Sequence, residues 1–115
     1  MGESKLIVIK IGSNVLTQES GLPDLDRLQK LVSQIQELIV SGKKIVLVSS
    51  GAVAFGRQAI PLGKGLNPVL KKQIWASTGQ IRLINSFQKS FEAHDIQIAQ
   101  ILVTKEDFRD RKHFL

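Results

Sequence analysis

The amino-acid sequence predicts an α/β fold, in which helices cover both faces of an open and mainly parallel sheet. Short apolar runs rich in β-branched residues alternate along the chain with longer stretches in which apolar residues recur at helical spacing. These runs are continuous rather than alternating, which is typical of parallel strands that are buried on both faces. The predicted order is β-α-β-α-α-β-α, and it indicates a three-layer α/β/α sandwich.

The first half of the chain predicts a strand, a helix and a second strand. Residues 6–11 form an apolar run that ends at Gly12, and Lys10 is a conspicuous polar residue within it. Residues 25–39 carry apolar side chains every three or four positions, which predicts an amphipathic helix. Residues 44–49 predict a second buried strand, and a crossover of this kind is right-handed and joins parallel strands.

The second half predicts a short helix, a long helix, a third strand and the start of a last helix. Residues 50–57 are rich in small side chains and lead into the short helix. Asn67, with a proline after it, suits the cap of the long helix, in which Gly79 either weakens the helix or admits another backbone. Residues 96–103 predict a third strand, and residues 104–107 resemble a capping box.

The composition is that of a soluble globular chain of 115 residues, about one ordinary domain. The formal net charge of +6 suggests anionic partners, although a solvated surface can also carry it. The absence of cysteine excludes disulfides, thiolate catalysis and Cys-ligated metals, and His94 and His113 are too few for an imidazole metal site. No apolar stretch approaches the roughly 20 residues that span a bilayer, and the start lacks a secretory pattern, so we expect a cytoplasmic protein without a membrane partner.

Candidate functional residues should follow the strands, because open parallel sheets bind ligands beyond the carboxyl ends of their strands. Lys10 is at the end of a predicted buried strand, where an ammonium group is costly unless it meets an anion such as phosphate. Gly12 would let the backbone approach that anion, and Ser13 would add an amide and a hydroxyl donor. The alternative is a lysine whose stem packs on an edge strand and whose head reaches water, and the residues alone support both equally.

A second candidate segment joins the end of the second strand to the next helix. Ser50 can donate a hydroxyl hydrogen bond, and Gly51 and Ala52 offer backbone amides at a helix start, where carboxylate and phosphate groups bind. Gly51 also permits a close approach of the ligand. The alternative is an ordinary helix cap followed by small residues that allow tight packing, and it is preferred unless further evidence supports a ligand.

Two common phosphate motifs and a nucleic-acid partner are excluded. Gly51 and Gly56 have the spacing of a P-loop, but Arg57 and Gln58 stand where Lys and Ser or Thr are required. No G-x-G-x-x-G sequence occurs, which removes the dinucleotide fingerprint. Basic and acidic residues are mixed over positions 105–112, and the aromatic residues follow helical spacing, so we expect no nucleic-acid partner.

The strand ends and the segments after them resemble the amino-acid kinase family. The resemblance runs in order along essentially the whole chain. Within the family, the Ser-Ser-Gly-Ala-Val-Ala sequence and the Gly-Gln pair are most similar to the kinases that act on L-glutamate. The blocks that carry the resemblance are residues 7–17, 45–57, 78–83 and 100–104, with Asp107 and Phe108.

The resemblance implies transfer of the γ-phosphoryl group of ATP to the side-chain carboxylate of L-glutamate, with Mg²⁺, as the first step of proline biosynthesis. It implies that Lys10 is catalytic, because its charge would stabilise the phosphoryl group in flight. Gly12 and Ser13 would help Lys10 to bind that group, and no residue of this chain is expected to ligate the metal. We also expect a homo-oligomer, either a dimer or a tetramer. The residues implied to bind glutamate are Ser50, Gly51 and Ala52.

We expect residues 1–115 to be the N-terminal, glutamate-binding portion of a kinase domain and to be inactive alone. The family's later acidic and Asn-containing segment and its nucleotide-binding half, with most of the ATP site, have no counterpart in the sequence. Phe55 leaves open whether the parent is a single-function kinase or the kinase half of a bifunctional synthase. One alternative is another amino-acid kinase, for acetylglutamate or aspartate. A second is a non-catalytic binding or assembly module, in which residues 50–56 are a packed cap and the apolar stripe over 74–91 is a subunit interface.

Overall fold

The computed structural model describes residues 5–101, which contain two strands and three helices. The elements are β1 (Leu6–Ile11), α1 (Leu25–Val40), β2 (Lys44–Ser49), α2 (Ala52–Ala59) and α3 (Pro68–Glu92). Their order confirms the predicted strand, helix and strand, followed by a short and a long helix. None of the helices between residues 5 and 101 has the length and hydropathy that a bilayer-spanning helix needs.

The two strands pair in parallel, with their carboxyl ends side by side. Lys10 lies opposite Val48, and Ile11 lies opposite Ser49. The amide of Ser50 donates a hydrogen bond of 2.9 Å to the carbonyl oxygen of Ile11, which extends the ladder by one residue. This pairing fixes the segment that enters α2 beside the loop that leaves β1.

Helices cover one face of this sheet within residues 5–101. Ile9 and Ile11 of β1 and Leu47 of β2 belong to the core or pack against it. On the other face, Leu6 and Val8 are each 63% exposed, so the prediction of strands buried on both faces is wrong for this part of the chain. The reason is that all three helices contribute to a single core on one side, which leaves two layers here. The three-layer sandwich stays a prediction for a whole domain.

Helix α1 forms because its apolar residues lie on one side and an aspartate caps its start. Asp24 Oδ1 accepts a hydrogen bond of 3.0 Å from the amide of Arg27, which satisfies one of the free donors of the first turn. The side chains of Leu28, Val32 and Ile35 are buried against the sheet and the other helices. The amphipathic helix predicted over 25–39 is therefore confirmed.

Helix α3 buries a side that is rotated from the predicted apolar stripe, although the two share Phe91. Leu83, Phe87 and Phe91 are buried, and the rings of Phe87 and Phe91 stack with their centroids 6.3 Å apart. Ile81, which the predicted stripe included, is 68% exposed. The buried side also carries Gly79, so the contact of α3 with α2, rather than apolar content alone, sets the rotation of the helix.

Two glycines bring the backbones of α2 and α3 into direct contact. A Cβ atom on Gly79 would overlap the carbonyl oxygen of Ala52, and one on Gly56 would overlap the carbonyl oxygen of Trp75. Of the two predicted roles for Gly79, the close approach of another backbone is confirmed.

The cap of α3 gives a first prediction. Asn67 Oδ1 accepts a hydrogen bond of 2.8 Å from the amide of Val69, and a proline follows at the first helical position. Asn67→Ala is expected to lower the free energy of unfolding by about 1 kcal/mol, because the amide loses its acceptor. Urea unfolding measures the change, with Asn85→Ala at an exposed site within the same helix as the control. An equal change in both variants would show that the cap contributes nothing.

The predicted third strand is not formed in the part of it that is described. Residues 96–101 do not pair with β1 or β2, although Ile96 and Ile98 pack against the core. The amide of Ile96 donates to the carbonyl oxygen of Phe91 at 3.0 Å, so this segment begins in the turn that ends α3. The rest of the predicted strand and the last helix lie outside residues 5–101.

Candidate functional site

The carboxyl ends of β1 and β2 open into a cleft of about 520 Å³. Its walls are the loop that follows β1, the segment between β2 and α2, the first two turns of α2, and the side of α3 that carries Lys72 and Ala76. This is the position where an open parallel sheet is expected to bind a ligand. Of the predicted site residues, the cleft brings together Ser13, Ser50, Gly51 and Ala52.

The loop after β1 is a tight turn that presents Ser13 to the cleft. The amide of Val15 donates to the carbonyl oxygen of Gly12 at 3.1 Å, and Thr17 Oγ1 donates to the carbonyl oxygen of Ser13 at 2.7 Å. A Cβ atom on Gly12 would meet no atom within 4 Å of it. The backbone at Gly12 is therefore open to solvent, although Gly12 itself does not line the cleft.

Gly51 turns the chain from β2 into α2 and leaves the helix start without a side-chain cap. Its φ of 126° is a conformation that residues with a side chain rarely adopt, so a glycine is required here. Gly51 occupies the cap position, and no side chain of the described structure caps the helix. The amides of Ala52 and Val53 lie in the first turn and have no acceptor within the helix. The cap of α2 is therefore a glycine without a side-chain hydrogen bond, while the tight packing of small residues is present where Ala52 and Gly56 contact α3.

Lys10 lies at the same end of the sheet but does not line the cleft. Its strand neighbours Ile9 and Ile11 face the core, whereas Lys10 shares the exposed face with Val8. Between residues 5 and 101 no hydrogen bond or ion pair involves its side chain. Within residues 5–101 no helix covers that face, so Lys10 reaches solvent there, as in the second of the two interpretations that the sequence left open. Its position beside Gly12, at the carboxyl end of β1, is as predicted.

Two cations of the cleft, Arg57 and Lys72, were not predicted as site residues. Arg57 is on α2 and Lys72 is on α3, and no Asp or Glu is among the described residues that line the cleft. The cleft is therefore positively charged and suits anions. The signal in the sequence that could have found them is helical spacing, because residues four apart lie on the same side of a helix. Arg57 lies four residues after Val53, and Lys72 lies four residues before Ala76, and all four line the cleft.

A metal-ligand set is not found within residues 5–101. No group of three or more His, Cys, Asp or Glu side chains lies close enough there to hold a metal ion. Magnesium prefers carboxylate and phosphate oxygens, so this part of the chain does not fit a resident Mg²⁺.

Comparison with known proteins classifies the chain. Residues 5–114 match the model of the amino acid kinase family. The chain belongs to this family. Among curated relatives of this amino acid kinase chain, glutamate 5-kinase of Chlorobaculum tepidum is 50% identical over 109 residues, or 95% of the chain. Glutamate 5-kinase of Bacteroides thetaiotaomicron is 46% identical over 95% of the chain. Glutamate 5-kinase of Pelobacter propionicus is 38% identical over 96% of the chain.

The amino acid kinase chain spans about 30% of the length of these relatives. The family resemblance carried by the strand ends is confirmed by this match. In a kinase, catalysis of phosphoryl transfer is largely a matter of positioning and electrostatic stabilisation. A cleft formed by amides, hydroxyl groups and cations is chemically suited to both.

Proposed function

We propose that the protein to which this chain belongs transfers the γ-phosphoryl group of ATP to the side-chain carboxylate of L-glutamate. The product is glutamyl 5-phosphate, and the reaction is the first step of proline biosynthesis. The observation that carries the proposal is the cleft at the sheet end, where a helix start without a side-chain cap, serine hydroxyls and two cations meet, with no carboxylate from residues 5–101. The names of the relatives, which are glutamate 5-kinases, support the choice of substrate.

The reaction is a displacement at phosphorus. A carboxylate oxygen of glutamate attacks the γ-phosphorus, the bond to the bridging oxygen breaks, and ADP leaves with that electron pair. Ser50 and the amides of Gly51 and Ala52 hold the side-chain carboxylate by hydrogen bonds from the helix start. Holding it in one orientation supplies the positioning that an in-line displacement needs.

The phosphoryl group is assigned to the loop after β1 and to Lys10. The amide and hydroxyl of Ser13 and the open backbone at Gly12 would surround its oxygens. The ammonium group of Lys10, which has no partner among residues 5–101, would neutralise the charge that they carry in the transition state. ATP would then approach Lys10 at the carboxyl end of β1, where the loop with Gly12 and Ser13 follows.

The domain architecture, the ATP site, the metal, the cellular location and the oligomeric state are proposed for the whole protein. Residues 1–115 would form the glutamate-binding half of a three-layer kinase domain, and the nucleotide half would carry most of the ATP site. Mg²⁺ would be held by the phosphates of ATP and by ligands outside residues 5–101, so no step is assigned to it here. The protein would act in the cytoplasm as a homo-oligomer, without nucleic acid or membrane as partners.

Substrate dependence tests the proposal directly. In the intact protein, ATP turnover is measured with L-glutamate, with acetylglutamate, with aspartate and with no acceptor. Turnover is expected with L-glutamate alone. Equal turnover with acetylglutamate or aspartate would favour another amino-acid kinase. Turnover without an acceptor would also contradict the proposal, and no turnover at all would favour a non-catalytic module.

Ser50 gives the matching prediction for substrate binding. Ser50→Ala in the intact protein is expected to raise the KM for glutamate about tenfold, because a hydrogen bond to a charged carboxylate is lost. Steady-state kinetics measures the change. Ser49→Ala is the control, since the hydroxyl of Ser49 donates to the Ser50 carbonyl oxygen and does not line the cleft. A similar rise in both variants would show that the effect comes from the backbone rather than from the Ser50 hydroxyl.

A further inference from the structure

Arg57 is held in the cleft by the indole ring of Trp75. The guanidinium carbon lies 4.8 Å from the centre of that ring. The ring is itself fixed, because Trp75 Nε1 donates a hydrogen bond of 2.7 Å to the carbonyl oxygen of Ile60. A guanidinium that stacks on an aromatic ring uses its flat face, which leaves the N–H donors on its edge for other partners. One edge nitrogen, Nη1, lies against Gly21, where a Cβ atom would overlap it, and this contact adds to the support of the guanidinium.

The helices that carry Arg57 and Trp75 cannot easily separate. Gly56, directly before Arg57, packs against the backbone of Trp75 so closely that a Cβ atom would overlap the Trp75 carbonyl oxygen. The position of the guanidinium is therefore set by backbone contact as well as by stacking. A cation fixed in this way loses little conformational freedom when it binds a ligand.

The guanidinium of Arg57 has no anionic partner in the part of the chain that the structure describes. The ion pair found there joins Arg27 to Asp24, and no side-chain nitrogen of Arg57 donates a hydrogen bond within residues 5–101. No Asp or Glu lines the cleft within residues 5–101. The planar fork of an arginine matches a carboxylate with two parallel hydrogen bonds, so a carboxylate from a ligand is its natural partner.

The cleft thus has two anion positions along α2. One is the helix start at Gly51 and Ala52, and the other is Arg57. Arg57 is five positions after Ala52, which is about 7.5 Å along a helix axis. Both positions line the same cleft, so a single small molecule with a carboxylate at each end can reach both.

We propose that Arg57, stacked on Trp75, is the specificity residue that binds the carboxylate of the substrate that does not react. This rests on the proposed function, in which the reacting side-chain carboxylate occupies the helix start. The α-carboxylate of the amino acid then points along α2 and receives the fork of Arg57. The protein selects dicarboxylates through this residue, while Ser50 and its neighbours select the reacting end.

The test uses two analogues that each lack one group of glutamate. Glutarate keeps both carboxylates and lacks the ammonium group, whereas 4-aminobutyrate keeps the ammonium group and lacks the α-carboxylate. Their dissociation constants are measured by calorimetry in the intact protein and in Arg57→Gln, Arg57→Lys and Lys72→Gln. Circular dichroism checks that each variant is folded, which is expected because both side chains are exposed.

Arg57→Gln is expected to raise the dissociation constants of glutamate and glutarate by about tenfold to a hundredfold. The dissociation constant of 4-aminobutyrate should stay almost unchanged. Arg57→Lys should recover part of that loss, because it keeps the charge and loses the fork. Lys72→Gln removes the same charge from the same cleft but no planar fork, so it should weaken the binding of glutarate less than Arg57→Gln does. Trp75→Leu should reproduce part of the Arg57→Gln effect, because Arg57 loses its support.

Two outcomes would overturn the assignment. Equal losses for glutarate and 4-aminobutyrate in Arg57→Gln would show a structural role, and unchanged binding would show no role. The proposed function fails separately, if the wild-type protein does not turn over ATP with glutamate. In that case a preference for dicarboxylates that disappears in Arg57→Gln would still support the assignment of Arg57.

Discussion

Lys10→Ala in the intact protein is expected to reduce ATP turnover with glutamate by about a hundredfold to a thousandfold. The free energy of unfolding is expected to change by less than about 0.5 kcal/mol, because Lys10 is exposed and its side chain makes no hydrogen bond or ion pair within residues 5–101. The two results together would separate a catalytic charge from a structural one. Steady-state kinetics and urea unfolding on the same preparation measure them.

Lys44→Ala is the matched control for this charge. Lys44 is an exposed lysine at the amino end of β2, paired with Leu6, so it lies at the opposite end of the sheet from the cleft. The Lys44→Ala variant removes the same charge as Lys10→Ala, but at a position away from the carboxyl ends of the strands. If Lys44→Ala reduced turnover as much as Lys10→Ala, the effect would be a general one of net charge, and the assignment of Lys10 would be wrong.

Gly79→Ala is expected to lower the free energy of unfolding by about 2–3 kcal/mol. The added methyl group would overlap the carbonyl oxygen of Ala52, so α2 and α3 must move apart. In an exposed helix the same change stabilises by up to about 1 kcal/mol, so the sign of the result distinguishes steric overlap from helix propensity. Because Ala52 is the first residue of α2, the displacement should also raise the KM for glutamate.

Gly65→Ala provides the comparison for this prediction. A Cβ atom on Gly65 would meet no atom within 4 Å, and the residue lies in the loop before α3. Its free energy of unfolding is expected to stay within about 0.5 kcal/mol of the wild type. A Gly79→Ala variant as stable as Gly65→Ala would show that the two helices are not in backbone contact in solution.

Local patterns predicted most of the secondary structure, because strand and helix periodicities depend on near neighbours. The apolar run before Gly12, the cap at Asn67 and the amphipathic spacing after Asp24 each carry their own signal. The side of α3 that is buried could not be predicted in this way. The buried side depends on Gly56 of α2 and Gly79 of α3, at which the backbones of the two helices come into contact.

The part of the candidate site that follows directly from local sequence was predicted, and the part that depends on contacts between distant elements was not. Ser13 and the segment from Ser50 to Ala52 follow directly from strands, so the topology alone brings them together. The surroundings of Lys10 depend on which sheet face other elements cover, and that is not a local property. Arg57 and Lys72 meet in the cleft because α2 packs on α3, which no spacing along the chain encodes directly.

The glycine contact between α2 and α3 also determines how one wall of the cleft is held. Since Gly56 and Gly79 place backbone against backbone, the wall of the cleft that α2 and α3 form is set by main-chain contact, which no change of side-chain rotamer can alter. The opposite wall, the turn from Gly12 to Val15, is held by one backbone hydrogen bond and by the hydroxyl of Thr17. The two walls of the cleft are thus held by different forces, main-chain packing on one side and hydrogen bonds on the other.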